Sequence, residues 1–336
     1  MKTLEQTVAQ HLVEWSARSL AQQQLEIENN EAVARLYGLE DEVPSYVPLE
    51  RVSMTNNSAF RWPNKTPTER DTLFAQSAVV DLLSYAVGCM MGRYSLDAPG
   101  LILASQGETL ADYLARVSEP SFAPDADGVI PITDGEWFED DIVARFRQFM
   151  RVAFGAEHLE ENLRYIEDAL GAPGKPKPLR QYFMRDFYKD HVQRYQNRPI
   201  YWMFSSQPDG KGAFNALVYL HRYTPAIVHT VLNEYLREFQ AKLRGEIGTL
   251  ERSAAPADQR KADGLRKMLA ECEDYERNVL FPLASKNLPM DLDDGVLVNY
   301  LRFGKALVTI PAIEKKRPDV ETWTWPVHPL TPEGVE

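Results

Sequence analysis

The chain has 336 residues, of which 44% are hydrophobic, 26% charged and 10% aromatic. That exceeds one typical domain and can bury a sizeable core, so two or three packed subdomains are expected. A formal charge of −12 excludes strong, nonspecific nucleic-acid binding by the whole surface and leaves only a local basic face for a polyanion.

The N-terminus, MKTLEQTVAQHLVEW, has no apolar signal-peptide core. Residues 4 to 37 read as a long helix, with Leu12, Trp15, Leu20, Ile27, Val33 and Leu36 near helical spacing and Gly38 as its C-cap. The Pro-, Ser- and Asn-rich stretch 43 to 67 reads as a loop with one short strand, Leu49 to Met54. Residues 69 to 94 form a second helix, apolar nearly all round and therefore buried. No apolar run is expected to reach the roughly 18 to 20 residues of a membrane span, so the chain reads as cytoplasmic. Residues 97 to 135 read as mostly irregular, with a short helix near Thr109 to Val117 and a small strand at Gly128 to Ile132.

Three helices follow, at Trp137 to Phe154, Glu157 to Leu170 and Leu179 to Tyr195. The apolar runs RPIYWMFSS and AFNALVYLHRY flank QPDGKG and predict a β-hairpin, with Ile200, Trp202 and Phe204 buried on one side and Arg222 structural. Thr224 is expected to cap a long helix with Pro225 at its first position. SAAPAD breaks that helix and a second follows, so 224 to 285 reads as an antiparallel helical hairpin. A short segment at Val296 to Phe303 and a proline-rich tail close the chain. The expected division is 1–42, 43–174, 175–223, 224–285 and 286–336. Cys89 and Cys272, each inside an apolar helical pattern, read as buried free thiols, and two isolated cysteines cannot supply a zinc ligand set.

The best binding candidate is a basic stretch within an acidic protein: Lys175, Lys177, Arg180, Arg185, Lys189, Arg194 and Arg198, opposed only by Asp186 and Asp190. It reads as a DNA-phosphate surface or, failing that, a solvated helix face; the interleaved Tyr182, Phe183, Phe187, Tyr188 and Tyr195 also suit core packing. Catalytic groups are not expected. A DNA amino-methyltransferase needs a glycine-rich turn between strand and helix and an Asn/Asp-Pro-Pro-aromatic loop. The chain has no Pro-Pro dipeptide, and its only Gly-x-Gly, Gly210-Lys211-Gly212, falls in the hairpin turn. A P-loop fails because Ser205 and Gly212 stand where Gly and Ser/Thr are required. A calcium loop from Asp291 fails because Gly295 sits at its fifth position and Arg302 at its twelfth. His221 reads as a packing residue, and no cofactor or metal site is expected in this chain.

Several blocks resemble, in order, a known family. They are Tyr37-Gly38-Leu39, SYAVGCMMGRYSLD (84–97), IPITDGEWFEDDIVARF (130–146), DFYKDH (186–191), RPIYWMFSS (198–206), ALVYLHRY (216–223) and MDLDDGVLVNY (290–300). Together they resemble the C-terminal portion of PglX, the adenine-specific DNA methyltransferase of type 1 BREX phage-defence systems. The resemblance implies an enzyme that methylates adenine at N6 with S-adenosylmethionine, the cofactor of the full-length family, to mark host DNA. In this chain it implies target recognition and helical support. The expected partners are double-stranded DNA, bound weakly, the catalytic part of the enzyme and other BREX proteins, with no membrane. The reading is therefore a helix-rich α+β chain acting as a DNA-recognition or scaffold region. Its alternatives are a protein-interaction module of the BREX complex or a non-functional remnant of a split gene.

Overall fold

The computed structural model describes residues 2–321; His328 and the end of the proline-rich tail lie outside the described residues. About 60% of the chain is helical and the strands form one small antiparallel sheet, the expected helix-rich α+β class.

Helix α1 (Leu4–Tyr37) opens on a capping box in which Thr3 accepts the Gln6 N–H and the Gln6 side chain accepts the Thr3 N–H. It ends at Gly38, whose left-handed φ of 65° lets the turn reach back to the Ala34 and Arg35 carbonyls. The strand expected at 49–54 is absent: Leu49–Arg51 is a 3₁₀ turn, and the Asn57 side-chain amide donates to the Leu49 and Val52 carbonyls at 2.8 and 2.9 Å. Those acceptors are thus satisfied locally rather than by a partner strand. Asn57 also caps α2 (Ser58–Arg61).

Helix α3 (Pro67–Met90), started by Thr66 and Pro67, is long and apolar enough to cross a membrane by length and composition, which corrects the expectation that no run of that kind exists. Here it is the central helix of a core, with Val79, Leu83, Ala86, Val87 and Met90 fully buried against protein. Short α4 (Leu110–Arg116) and strand β1 (Val129–Pro131) come next. Helix α5 (Ile142–Phe154) starts five residues later than expected, because buried Asp141 accepts the Val143 N–H at 3.0 Å and fixes the N-cap there. After α6 (Leu159–Leu170), the single helix expected at 179–195 is two, α7 (Leu179–Arg185) and α8 (Phe187–Arg194). The two are separated by one distorted residue, Asp186, with φ of −118°, whose carboxylate is held by Lys177 at 2.9 Å.

Strands β2 (Tyr201–Ser205) and β3 (Asn215–Tyr219) form the expected hairpin, and β1 pairs with the other edge of β3. Alternation then sorts the side chains. Tyr201, Met203, Leu217 and Tyr219 enter one core, built by α1 and α3 to α8. Trp202, Phe204, Ala216 and Val218 enter a second, built by the C-terminal helices. The expectation of one buried side is thereby corrected: both faces are covered, and Ile200 packs on the first core, away from Trp202 and Phe204.

The second core is the expected helical hairpin. Helices α9 (Ile227–Thr230) and α10 (Arg237–Leu250) are continuous through a π-helical turn, Val231–Leu236. Helices α11 (Pro256–Tyr275) and α12 (Phe281–Ala284) are likewise joined by a π turn, Glu276–Leu280, just ahead of Pro282, which cannot donate to the carbonyl four residues before it. The first rod begins at Ile227 rather than Pro225, because the Thr224 carbonyl accepts the Ile227 N–H at 2.9 Å and spends Pro225 in a turn. Helix α13 (Gly295–Arg302) completes this layer, and the following segment bridges to β2 through the Val308 N–H on the Met203 carbonyl at 3.0 Å.

Candidate nucleic-acid interface

The pattern that buries Tyr182, Phe183, Phe187, Tyr188 and His191 in the first core leaves Arg185, Lys189, Gln193 and Asn197, four residues apart, on one exposed line along α7 and α8. All four line one cavity of about 440 Å³. Its opposite wall is Asp209, Gly210 and Lys211 from the β2–β3 connection together with Val308 to Pro311. Phe183, Tyr188, Met203 and Val308 are buried residues of its lining.

Hydrogen bonds hold these walls. The Tyr300 hydroxyl donates to the Val308 carbonyl at 2.5 Å and meets the Tyr188 hydroxyl at 3.2 Å. The Thr309 N–H donates to the Pro208 carbonyl at 2.7 Å, joining the two segments of the far wall. A side chain at Gly210 would meet the Met203 methyl at 2.8 Å, and its φ of 73° is left-handed, so glycine is favoured at the lip. His191 accepts the Tyr201 N–H on Nε2 at 3.1 Å, tying α8 to β2. Burial pushes its pKa down to about 3, so it is a neutral anchor and not a base.

Among the described residues neither Arg185 nor Lys189 has an acidic partner, and the Gln193 and Asn197 side-chain amides are unengaged. Asp209 is the one carboxylate lining the cavity; it lies 3.4 Å from Lys211, whose backbone N–H holds it below the usual carboxylate range. Asn197 is shared with a neighbouring cavity that carries Arg198 and Lys316, and Gln193 with one that carries Arg61 and Arg194 beside Asp81 and Asp190. Basic side chains therefore recur in hollows that share lining residues along α8, with Arg194 paired to Asp81 and Lys316 to Asp319. Such an arrangement can hold a polyanion by phosphate contacts without any reacting group.

The seven basic residues predicted from sequence separate in the fold. Arg185 and Lys189 come together, and Arg198 lies in the adjoining hollow. Lys175 is exposed on a loop closed by its own backbone bridge to Ala172. Lys177 is paired with Asp186, and Arg194 with Asp81. Arg180 is structural in its contacts: it grips both oxygens of fully buried Asp141, at 2.7 and 2.9 Å, and the Thr133 and Gly135 carbonyls. Sequence reasoning missed Gln193, Asn197 and Lys211. The first two continue the four-residue spacing from Arg185 and could have been found by it, whereas Lys211 joins them only through the tertiary fold.

A second polar cluster lies between the sheet and the C-terminal helices. The Tyr235 hydroxyl meets Asp127 and Asp140, each within about 3 Å, and the Val129 carbonyl. Burial, and then Asp127, push Asp125 up to about 7. Arg222 donates to the Asp125 and Ala126 carbonyls, in keeping with its expected structural role. Among the described residues no group of His, Cys, Asp and Glu is arranged to hold a metal ion.

No family model matches the chain. Among curated proteins it is 37% identical over 289 residues to an adenine-specific methyltransferase, BrxX, of Escherichia coli O9:H4 (strain HS), covering 80% of this chain and 24% of that protein. It is 34% identical over 290 residues to an adenine-specific methyltransferase, PglX, of Lacticaseibacillus casei (strain Zhang), covering 82% of this chain and 22% of that protein. The chain thus spans about a quarter of the length of these relatives, which is consistent with the C-terminal portion that the sequence blocks resemble.

Proposed function

Because the chain is homologous to a portion of the BREX adenine-specific methyltransferases, we propose that it is a DNA-contacting, non-catalytic part of such an enzyme. The observation that carries this reading is the pairing of Arg185 and Lys189, free of acidic partners among the described residues, at one cavity faced by Lys211. In a chain of charge −12, two uncompensated cations converging from consecutive helices are what a polyanion could use. At physiological salt, repulsion from the rest of the surface is screened beyond about 8 Å, so local contacts decide binding. The absence of catalysis rests on the sequence: no Pro-Pro dipeptide, and a lone Gly-x-Gly that the fold puts between β2 and β3 rather than between strand and helix. S-adenosylmethionine and the methyl transfer then belong to the remaining part of the enzyme, and calorimetry of this chain with S-adenosylmethionine should show no stoichiometric binding.

The test is a titration of duplex DNA at several salt concentrations. Replacing Arg185 and Lys189 by Gln should weaken binding and reduce the salt slope by about 0.9 for each phosphate that is no longer neutralised. Arg180→Gln, by contrast, should lower the melting temperature and leave the slope as in the parent. If the double substitution leaves affinity and slope unchanged, the basic line is a solvated surface, and a protein-interaction role through the α10–α11 hairpin takes its place.

A further inference from the structure

The cavity beside α8 holds more than charge. Besides Asp209, which Lys211 faces at 3.4 Å, its lining divides into three chemistries: cations at Arg185 and Lys189 with Lys211 across from them, unengaged carboxamides at Gln193 and Asn197, and apolar surface at Met184, Val192, Val308 and Pro311. A landing strip for backbone phosphates needs only the first. A lipid or fatty-acid site needs the first and third, and the two amides would be left without partners. All three together suit one compact ligand with an anionic end, a flat apolar body and an edge that pairs a donor with an acceptor. A nucleoside monophosphate has those parts. A carboxamide presents its own donor and acceptor side by side, as base edges do. The volume, about 440 Å³, lies within the range of small-ligand pockets.

The backbone keeps this shape in place. Asn197 sits in the left-handed region, with φ of 62°, and its N–H donates to the Val192 carbonyl at 2.8 Å, so the residue is fixed at the end of α8 with its side chain on the cavity. At the opposite lip Gly210, with φ of 73°, is strained by any L side chain.

We infer that this cavity binds one unstacked nucleotide, its phosphate on Arg185 and Lys189 and its base edge on Gln193 and Asn197. The nucleotide is either free or an unpaired residue of a DNA strand; only the second source rests on the DNA-contact reading above.

The probe is 2′-deoxyadenosine 5′-monophosphate, titrated into the full chain and followed by calorimetry, with inorganic phosphate as the control. Thr309 is exposed on the lining and carries no charge, so Thr309→Phe should fill the mouth with the fold intact by circular dichroism. It should weaken the mononucleotide about tenfold or more while leaving fully paired duplex binding as in the parent, and Gln193→Ala should weaken the mononucleotide to a similar extent. A duplex carrying one unpaired base should then outbind the fully paired duplex in the parent and lose that advantage in Thr309→Phe; equal binding of the two duplexes assigns the cavity to free nucleotide. The inference is overturned if the mononucleotide binds no tighter than inorganic phosphate, or if Thr309→Phe leaves its affinity unchanged. Mononucleotide binding without any salt-dependent duplex binding would instead remove the DNA-contact reading and keep this site.

Discussion

Trp202→Ala tests the sheet on which the interface depends. The indole is 2% exposed and lies edge-on to Tyr300 and Phe303, both at 5.2 Å between ring centres, with interplanar angles of 78° and 77°. Its Nε1 donates to the Pro199 carbonyl at 3.1 Å. Truncating a buried aromatic side chain to alanine costs about 3 to 5 kcal/mol. The stranded Pro199 carbonyl, worth about 1 kcal/mol, and the two edge contacts put this case toward the upper end. Trp202→Phe keeps a ring in the site but removes the donor, and should cost about 1 to 2 kcal/mol. The effect should also travel: Tyr300 holds the Val308 carbonyl, so amide exchange should speed up over residues 300 to 310, the segment that walls the cavity. The assay is urea denaturation of parent and both variants, with hydrogen exchange on the alanine variant. A destabilisation below about 1 kcal/mol for Trp202→Ala would refute the buried placement and reopen base stacking on the indole.

Asp141→Ala removes both the cap of α5 and the partner of Arg180, and should cost about 3 to 5 kcal/mol in thermal or chemical unfolding, because the guanidinium is left largely buried without its counter-charge. Asp125 governs the pH profile. Its carboxyl is raised in the folded protein, so the folded state binds more protons than the unfolded one between about pH 4 and 7, and stability falls as pH rises through that window. Asp125→Asn keeps an oxygen for the Asp127 and Gly128 N–H groups, at 3.1 and 2.8 Å, and should flatten this slope and raise the melting temperature at pH 8; an unchanged pH profile would rule the assignment out.

Local chemistry was readable without coordinates wherever the governing partners are near in sequence. The glycine end of α1, the β2–β3 pairing and the two long C-terminal rods all follow from spacing and composition within a few residues. The sequence blocks were equally sufficient for the resemblance to adenine-specific methyltransferases, to one of which the chain is 37% identical over 289 residues. What the linear pattern could not decide were interactions with distant partners. The 49–54 segment is the exception, local yet misread: it turns rather than extends because Asn57, five to eight residues on, takes its carbonyls. The membrane-length helix Pro67–Met90 packs Val79, Leu83, Ala86, Val87 and Met90 into the first core. Of seven basic residues in one stretch, Arg180 is held by Asp141, Lys177 by Asp186 and Arg194 by Asp81, two of these carboxylates lying tens of residues away in sequence. Charge along a chain is fixed by sequence, but the charge a ligand meets is what remains after the fold has paired it. Only the tertiary structure left Arg185 and Lys189 without an acidic partner among the described residues, opposite Lys211.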